Sequence, residues 1–166
     1  DNYSNMLIDI KGKINEKRLS YANTLLPLYE AIVNSIQAIE EDSATETGII
    51  EISLIRSSQS KLEFEKISNN PAIIDFIIKD NGIGFTEKNF ESFNFAHSTY
   101  KEKKGGKGIG RFVWLRAFKK VEIESRYKEN GKWQLRSFNF EPTKEGIEKH
   151  KLESVNGTDS RYTKVH

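Results

Sequence analysis

Three short stretches of the sequence carry residue types that could do chemistry. The first is "LYEAIVNSIQAI", Leu28 to Ile39, in which Glu30 and Asn34 stand four residues apart. In a helix that spacing stacks the two side chains on one face. A carboxylate and an amide oxygen one turn apart can serve as a general base and as a ligand for a hard cation. Mg²⁺ takes oxygen ligands and keeps several waters, so one Asn together with phosphate oxygens is sufficient. The same pair would also suit a solvent-facing surface. Against that, Ala31, Ser35, Gln37 and Ala38 make the surroundings small and neutral, whereas solvated faces usually carry more charge.

The second stretch is "DNGIGF", Asp80 to Phe85. Asn-Gly after a strand is a common type I′ hairpin signal, yet no clean alternation resumes after Phe85. Two glycines spaced Gly82-x-Gly84 let a backbone approach a flat ligand closely. Asp80, at the end of the preceding apolar run, then offers an acceptor to an exocyclic amine. Adenine has such an amine, while guanine presents a carbonyl oxygen in the matching place, so a site of this kind prefers adenine.

The third is "KKGGKGIGRF", Lys103 to Phe112, which holds four of the chain's eleven glycines. Gly105-x-x-Gly108-x-Gly110 leads into a helical pattern, so backbone N–H groups and a helix amino end can converge on phosphates. Lys101, Lys103, Lys104 and Lys107 add positive charge. No strand directly precedes the loop, which separates it from a dinucleotide fingerprint, and no Gly-Lys-Ser/Thr closes it as in a Walker loop. Taken alone, the segment reads equally as a mobile basic surface loop.

Elements must position these residues. From Ala22 to Glu41, Leu25, Leu28, Ile32, Ile36 and Ile39 step by three or four, which predicts an amphipathic helix with Pro27 near its first turn. This reading sets Glu30 and Asn34 on the face opposite the apolar stripe. Ile49–Arg56 and Lys61–Ile67 alternate as half-buried strands do, Asn69–Asn70–Pro71 marks a turn, and Ile73–Lys79 reads as a buried strand ending in "DNGIGF". Thr86–Phe95 suits a short helix and Arg111–Lys120 another, with trailing lysines at its carboxyl end. Val121–Tyr127 and Trp133–Phe140 form a hairpin around Glu129–Asn130–Gly131, with a weaker strand near Ile147. The residues after Thr158 show no clean alternation, so periodicity marks no closing strand. The order of elements predicts an α+β two-layer sandwich, helices on one face of a mixed, largely antiparallel sheet.

Composition narrows the class. At 166 residues the chain suits a single domain with a real core. A net charge of +2 is too small to argue for nucleic acid by itself. No apolar stretch nears the ~20 residues a membrane helix needs, and the Met6–Ile10 patch, broken by Asp9, is no signal peptide. Without cysteine there are no disulfides, no thiolate catalysis and no sulfur-ligated metal. A cytoplasmic location is the expectation. The chain begins at Asp1, which reads as an excised piece, expected to be the N-terminal part of something longer.

Together the three stretches resemble the boxes of the GHKL superfamily: gyrase-type topoisomerases, ninety-kilodalton heat-shock chaperones, sensor histidine kinases and MutL-type repair proteins. "LYEAIVNSIQAI" is similar to the first box on Glu30 and Asn34. "DNGIGF" is similar to the second on Asp80, Gly82 and Gly84, with Phe85 where several members carry Met. "GGKGIG" is similar to the third, Gly-x-x-Gly-x-Gly, on Gly105, Gly108 and Gly110, and the likeness implies that Gly106, Lys107 and Ile109 between them also meet the nucleotide. "HSTYK" resembles the Ser/Thr-Lys segment of the family's ATP lid, at Ser98, Thr99 and Lys101, and "NGTDSRYTKV" resembles the Gly-Thr pair that opens a late strand, at Gly157 and Thr158. "GGKGIGRFVWLRAF" also resembles bacterial proteins with a chaperone-like ATPase domain.

The resemblance implies a Bergerat-type ATP-binding fold over residues 1–166, with ATP and Mg²⁺ as ligands. By that likeness Glu30 polarises water and Asn34 holds Mg²⁺. The backbone from Gly105 to Gly110 and the Lys101 ammonium stabilise the transferring phosphoryl group. It further implies slow hydrolysis by a conformational switch, with further domains of the same chain and a nucleotide-dependent homodimer as partners. Nucleic acid is compatible but not required, because phosphates already account for the lysines. Two readings compete with the switch. One is a histidine-kinase catalytic domain, against which Glu30 argues, and the other is a non-hydrolysing ATP-sensing module.

Overall fold

The computed structural model describes residues 24–57, 72–94, 110–143, 145–157 and 160–166. Helix α1 spans Leu26–Glu40 with Pro27 in its first turn, where a missing N–H costs nothing. It closes with the Glu41 N–H donating to the Gln37 carbonyl at 2.9 Å. Its buried line is Pro27, Ala31 and Ser35, not the larger apolar side chains. Leu25 and Ile36, expected to face inward, are exposed, while Leu28, Ile32 and Ile39 flank the buried line on one side. Small residues face inward because the helix lies close to other backbone. Glu30 and Asn34 therefore border the buried line rather than oppose it, and both are half-buried.

Strands β1 (Ile50–Arg56) and β2 (Ile73–Asp80) follow, then helix α2 (Glu87–Asn94). Thr86 starts α2 by accepting the Asn89 N–H on its Oγ1 at 3.3 Å. Helix α3 (Gly110–Ala117) ends sooner than the expected Lys120, and Lys119 and Lys120 lie beyond it. The hairpin β3 (Val121–Glu129) and β4 (Lys132–Phe140), predicted around Glu129–Asn130–Gly131, turns through Asn130 and Gly131, whose φ of 51° and 78° fit a type I′ turn. β5 (Ile147–Ser154) pairs with β4. The predicted strand Lys61–Ile67 lies outside the described residues.

The chain finishes in β6 (Tyr162–Val165), a strand that periodicity did not mark, and it sits in the middle of the sheet. The strand order is β1-β2-β6-β3-β4-β5, and every described pairing is antiparallel. Four residues give little room for alternation, but Thr163 and Val165 are buried while Tyr162 and Lys164 are only half-buried.

Cross-strand register explains the core. Ile52, Ile78, Val165, Ile123 and Phe138 form one row running across five strands. This face of the sheet packs with Ala31 of α1, Phe90 of α2, and Phe112, Trp114 and Leu115 of α3. The sandwich is two-layered with the helices on one face, as predicted. The opposite face is lined by Lys79, Glu124, Tyr162 and Lys164, and no described helix covers it. Among the described residues, no helix is long and apolar enough to cross a membrane.

Burial along that row is graded, from Ile78 at 0% exposure to Ile52 at 45% on the edge strand. Ile78→Ala should cost about 2–5 kcal/mol by the transfer and cavity terms together. Ile52→Ala should cost well under half of that. Urea unfolding of both variants checks the gradient, and equal losses would show that the row is buried evenly to its edge.

Candidate functional site

One register step beyond the apolar row, the same face of the sheet turns polar. Asp80, Thr163, Ser125 and Arg136 lie side by side across β2, β6, β3 and β4, and all four are buried. A polar row in a sheet core needs internal partners, since buried polar groups left unpaired are costly. Ser125 Oγ accepts the Phe85 N–H at 2.9 Å and shares a hydrogen bond with Thr163 Oγ1 at 2.9 Å. Arg136 donates to Glu87 and to the Tyr127 hydroxyl, and its guanidinium lies 4.2 Å from the Phe90 ring centre.

Asp80 is the chemically suggestive member. It is 4% exposed, and its carboxylate accepts from Ser35 Oγ at 2.8 Å and from the Gly82 N–H at 3.0 Å. A carboxylate has about four acceptor positions, so two donors leave capacity for an incoming N–H. Burial pushes the carboxyl pKa above the usual carboxylate range, while the two hydrogen bonds pull it back. A folded pKa above the unfolded value favours the fold most in acid, and that contribution is lost as pH rises through the folded pKa. Ser35 and Gly82 thus favour the ionised form of Asp80 against its own desolvation.

The "DNGIGF" loop owes its shape to this end of α1. The Ile83 N–H donates to the Ala38 carbonyl at 2.9 Å. A Cβ on Gly82 would come within 2.6 Å of the Ala38 carbonyl carbon and 2.7 Å of the Ile39 nitrogen. Gly84 adopts φ +82°, and a Cβ there would lie 2.7 Å from Tyr127 Cβ and 2.9 Å from Ser125 Oγ. Both glycines therefore answer to close packing within the protein. Asn81 ties the loop outward, accepting the Ile49 N–H and donating to the Thr47 carbonyl, each at 2.8 Å. Phe85 turns its ring onto Phe93 and Phe138, at centroid distances of 5.5 and 5.3 Å, as part of the aromatic core.

At its other end α1 is clasped by α3, where Trp114 Nε1 donates to the Pro27 carbonyl at 2.9 Å. Pro27 and Ser35 are eight residues apart, about 12 Å along a helix axis. Glu30 and Asn34 stand between the clasp and the Asp80 contact, beside the buried line. Gly110 begins α3. The structure thus gathers Glu30, Asn34, Asp80, Gly82, Gly84 and Gly110 on and around one helix. Ser98, Thr99, Lys101, Gly105, Gly106, Lys107, Gly108, Ile109 and Thr158 lie outside the described residues. Among the described residues no group of three or more His, Asp or Glu side chains is placed to hold a metal. A cation here would need phosphate oxygens and water as most of its ligands.

Ser35, Ser125 and Thr163 escaped the sequence reading. The available signal was a hydroxyl in the inward phase of an otherwise apolar strand or helix line: Ser125 between Ile123 and Tyr127, Thr163 two before Val165, Ser35 four after Ala31. The surface depression bordered by Glu51, Lys79, Glu124 and Lys164 lies on the outer face of the sheet, away from these residues, with mixed charge.

Residues 26–163 match the family model described as histidine kinase-, DNA gyrase B- and HSP90-like ATPase. The chain belongs to this family. The fold is similar to the ATPase region of Saccharomyces cerevisiae topoisomerase II, with a TM-score of 0.57 at 16% identity. That match covers 89% of this chain and 38% of the topoisomerase one. The same region bound to ICRF-187 (dexrazoxane) aligns with a TM-score of 0.56 at 17% identity, covering 85% of this chain and 36% of the other. This ATPase-family chain therefore spans less than two fifths of the length of either structure. No curated protein sequence matches it.

The tight Gly82 contact gives a direct test of how the loop is built. Gly82→Ala places a methyl against helix backbone, which cannot rotate away, and should destabilise by about 1–3 kcal/mol or more. Denaturant unfolding measures the loss; a stability unchanged within error would mean that the loop is free to lift from α1.

Proposed function

We propose that this domain binds ATP with its adenine amine on Asp80 and its phosphates toward the Pro27–Glu30 end of α1. The observation that carries the reading is Asp80: a buried carboxyl group fixed by two donors, with acceptor capacity remaining, in a chain of an ATPase family. Ser35 and Gly82 orient the two oxygens, and Thr163 and Ser125 line the sheet directly beside them. Asn34 would hold Mg²⁺, and when bound that ion neutralises phosphate charge. Glu30, one turn from Asn34, orients a water and takes its proton. The segment Gly105–Gly110 would supply backbone N–H groups to the phosphates, and Lys101 a further cation.

We further read the domain as a slow hydrolase whose nucleotide state sets the disposition of other domains, in a longer chain that pairs with a second copy when ATP is bound. In-line phosphoryl transfer benefits from a cation at the terminal phosphate that is often delivered from outside the nucleotide domain. Turnover by these 166 residues alone should accordingly stay low and rise in a longer chain.

Calorimetry with non-hydrolysable ATP and GTP analogues tests the base assignment. Asp80→Asn should abolish ATP-analogue binding, because an amide puts a donor where an acceptor is needed; equal affinity for the two analogues would sink it. Glu30→Ala should leave binding nearly intact and reduce turnover by about 10²–10⁴-fold. Normal turnover in that variant would return Glu30 to a surface role.

The pKa direction of Asp80 sets a pH dependence. Affinity should fall on acidification as Asp80 takes up a proton, and the fall should begin above the ordinary carboxylate range because burial has raised its pKa. Ser35→Ala removes a bond that favours the charged form, so its affinity loss should begin at higher pH than in the parent. A pH series of binding isotherms for both proteins decides this. Superimposed curves would separate Ser35 from the titrating group.

A further inference from the structure

Arg111 occupies the first turn of α3, directly after Gly110, and is 8% exposed. Its guanidinium lies 4.8 Å from the ring centre of Phe93 in α2 and 5.6 Å from that of Phe112. Among the described residues it forms no ion pair and no hydrogen bond. Burial alone brings its pKa down to about 10, with no carboxylate opposing the shift. This is an unusual state for arginine. Five N–H donors in a fixed fork are suited to paired oxygens, and a buried charge without a partner is strongly disfavoured. Aromatic faces attract the cation but accept no conventional hydrogen bond from it.

Arg136, the other buried arginine, shows the contrast. It too rests over a phenylalanine ring, but its Nη2 reaches Glu87 and its Nε reaches Tyr127, so that only Nη1 lacks a partner among the described residues. Among the described residues Arg111 has the rings only. Its place in the fold gives the vacancy a meaning. Trp114, one turn further along α3, is bonded to Pro27, and Glu30 is one turn on from Pro27 in α1. The amino end of α3 thus belongs to the end of α1 assigned to the phosphates, and its helix dipole favours an anion there too.

We propose that Arg111 is a binding residue for the polyphosphate of the nucleotide, a cation supplied from within this domain. The proposal rests on the ATP reading above. Its chemistry is that of a guanidinium fork and a helix amino end meeting phosphate oxygens, with Phe93 and Phe112 holding the fork in place. In the absence of ligand the charge is a cost to the fold, and the arriving phosphate offsets it.

That coupling makes the test specific. Arg111→Met keeps the length and apolar packing of the side chain and removes its charge. The ligand-free variant should melt at a temperature equal to or above that of the parent. Calorimetry on the full 166-residue chain should show affinity for a non-hydrolysable ATP analogue and for tripolyphosphate falling by about 10–100-fold, as loss of a charge-assisted pair implies. Affinity for AMP should change less than about threefold, and Arg111→Lys should recover part of the triphosphate affinity. An Arg111→Met protein that melts lower while keeping the parent's ratio of triphosphate to AMP affinity would overturn the proposal and make Arg111 a packing residue. Failure of the ATP reading looks different: the parent itself would bind neither the analogue nor AMP.

Discussion

The structure turns on the contact between α1 and the end of β2. Ser35 meets the Asp80 carboxylate at 2.8 Å, the Ile83 N–H meets the Ala38 carbonyl at 2.9 Å, and Gly82 lies where any side chain would strike the helix backbone. These contacts act as one unit. Small residues along α1 allow the close approach, and the close approach buries Asp80. Burial then makes the carboxylate dependent on Ser35 and Gly82 for its charge. Remove the glycine and the helix must lift; lift the helix and Asp80 regains water and loses its fixed direction.

Around that unit the sheet is divided into two adjacent rows with different tasks. The row of Ile78, Val165, Ile123 and Phe138 supplies apolar burial, the main favourable term in folding. The next row, Asp80 to Arg136, contributes polar groups that stabilise little on balance once desolvation is counted. Such a row persists because nearly all of its polar atoms are bonded to a neighbour, Arg136 Nη1 being the exception, and because the apolar row beside it is continuous. The central strand β6 serves both rows through two residues, Val165 and Thr163. A strand of four residues can hold the middle of a sheet because it is paired on both sides.

Much of this was legible in the sequence, and the failures have physical causes. The hairpin followed from Asn130-Gly131, and the helix through Glu30 and Asn34 followed from its apolar spacing. Which face that helix buries did not. Size was taken as the guide to burial, but a helix lying against backbone buries its smallest residues, Ala31 and Ser35, and leaves Ile36 outside. β6 was hidden because two inward positions cannot establish a period. The polar row was hidden because register, not composition, brings Asp80, Thr163, Ser125 and Arg136 together from four separated segments. Glu30, Asn34 and Asp80 were visible because their motif spacing is local to one helix or one loop.

The glycines of "DNGIGF" illustrate a further separation between motif and reason. Read as sequence, Gly82 and Gly84 leave space for a flat ligand. In the fold that space is filled by Ala38, Ile39, Tyr127 and Ser125, all of this same chain. The two accounts differ in what they require of the unliganded protein. Glycines that only cleared room for a base would leave a loose loop to be ordered on binding, at an entropic cost. Glycines packed against helix and strand fix the loop beforehand, so that the Gly82 N–H and the Ser35 hydroxyl already point at Asp80. The motif then specifies the direction of the carboxylate first. Where α1 comes to rest, held by these contacts at one end and by Trp114 at the other, sets what lies beside that carboxylate.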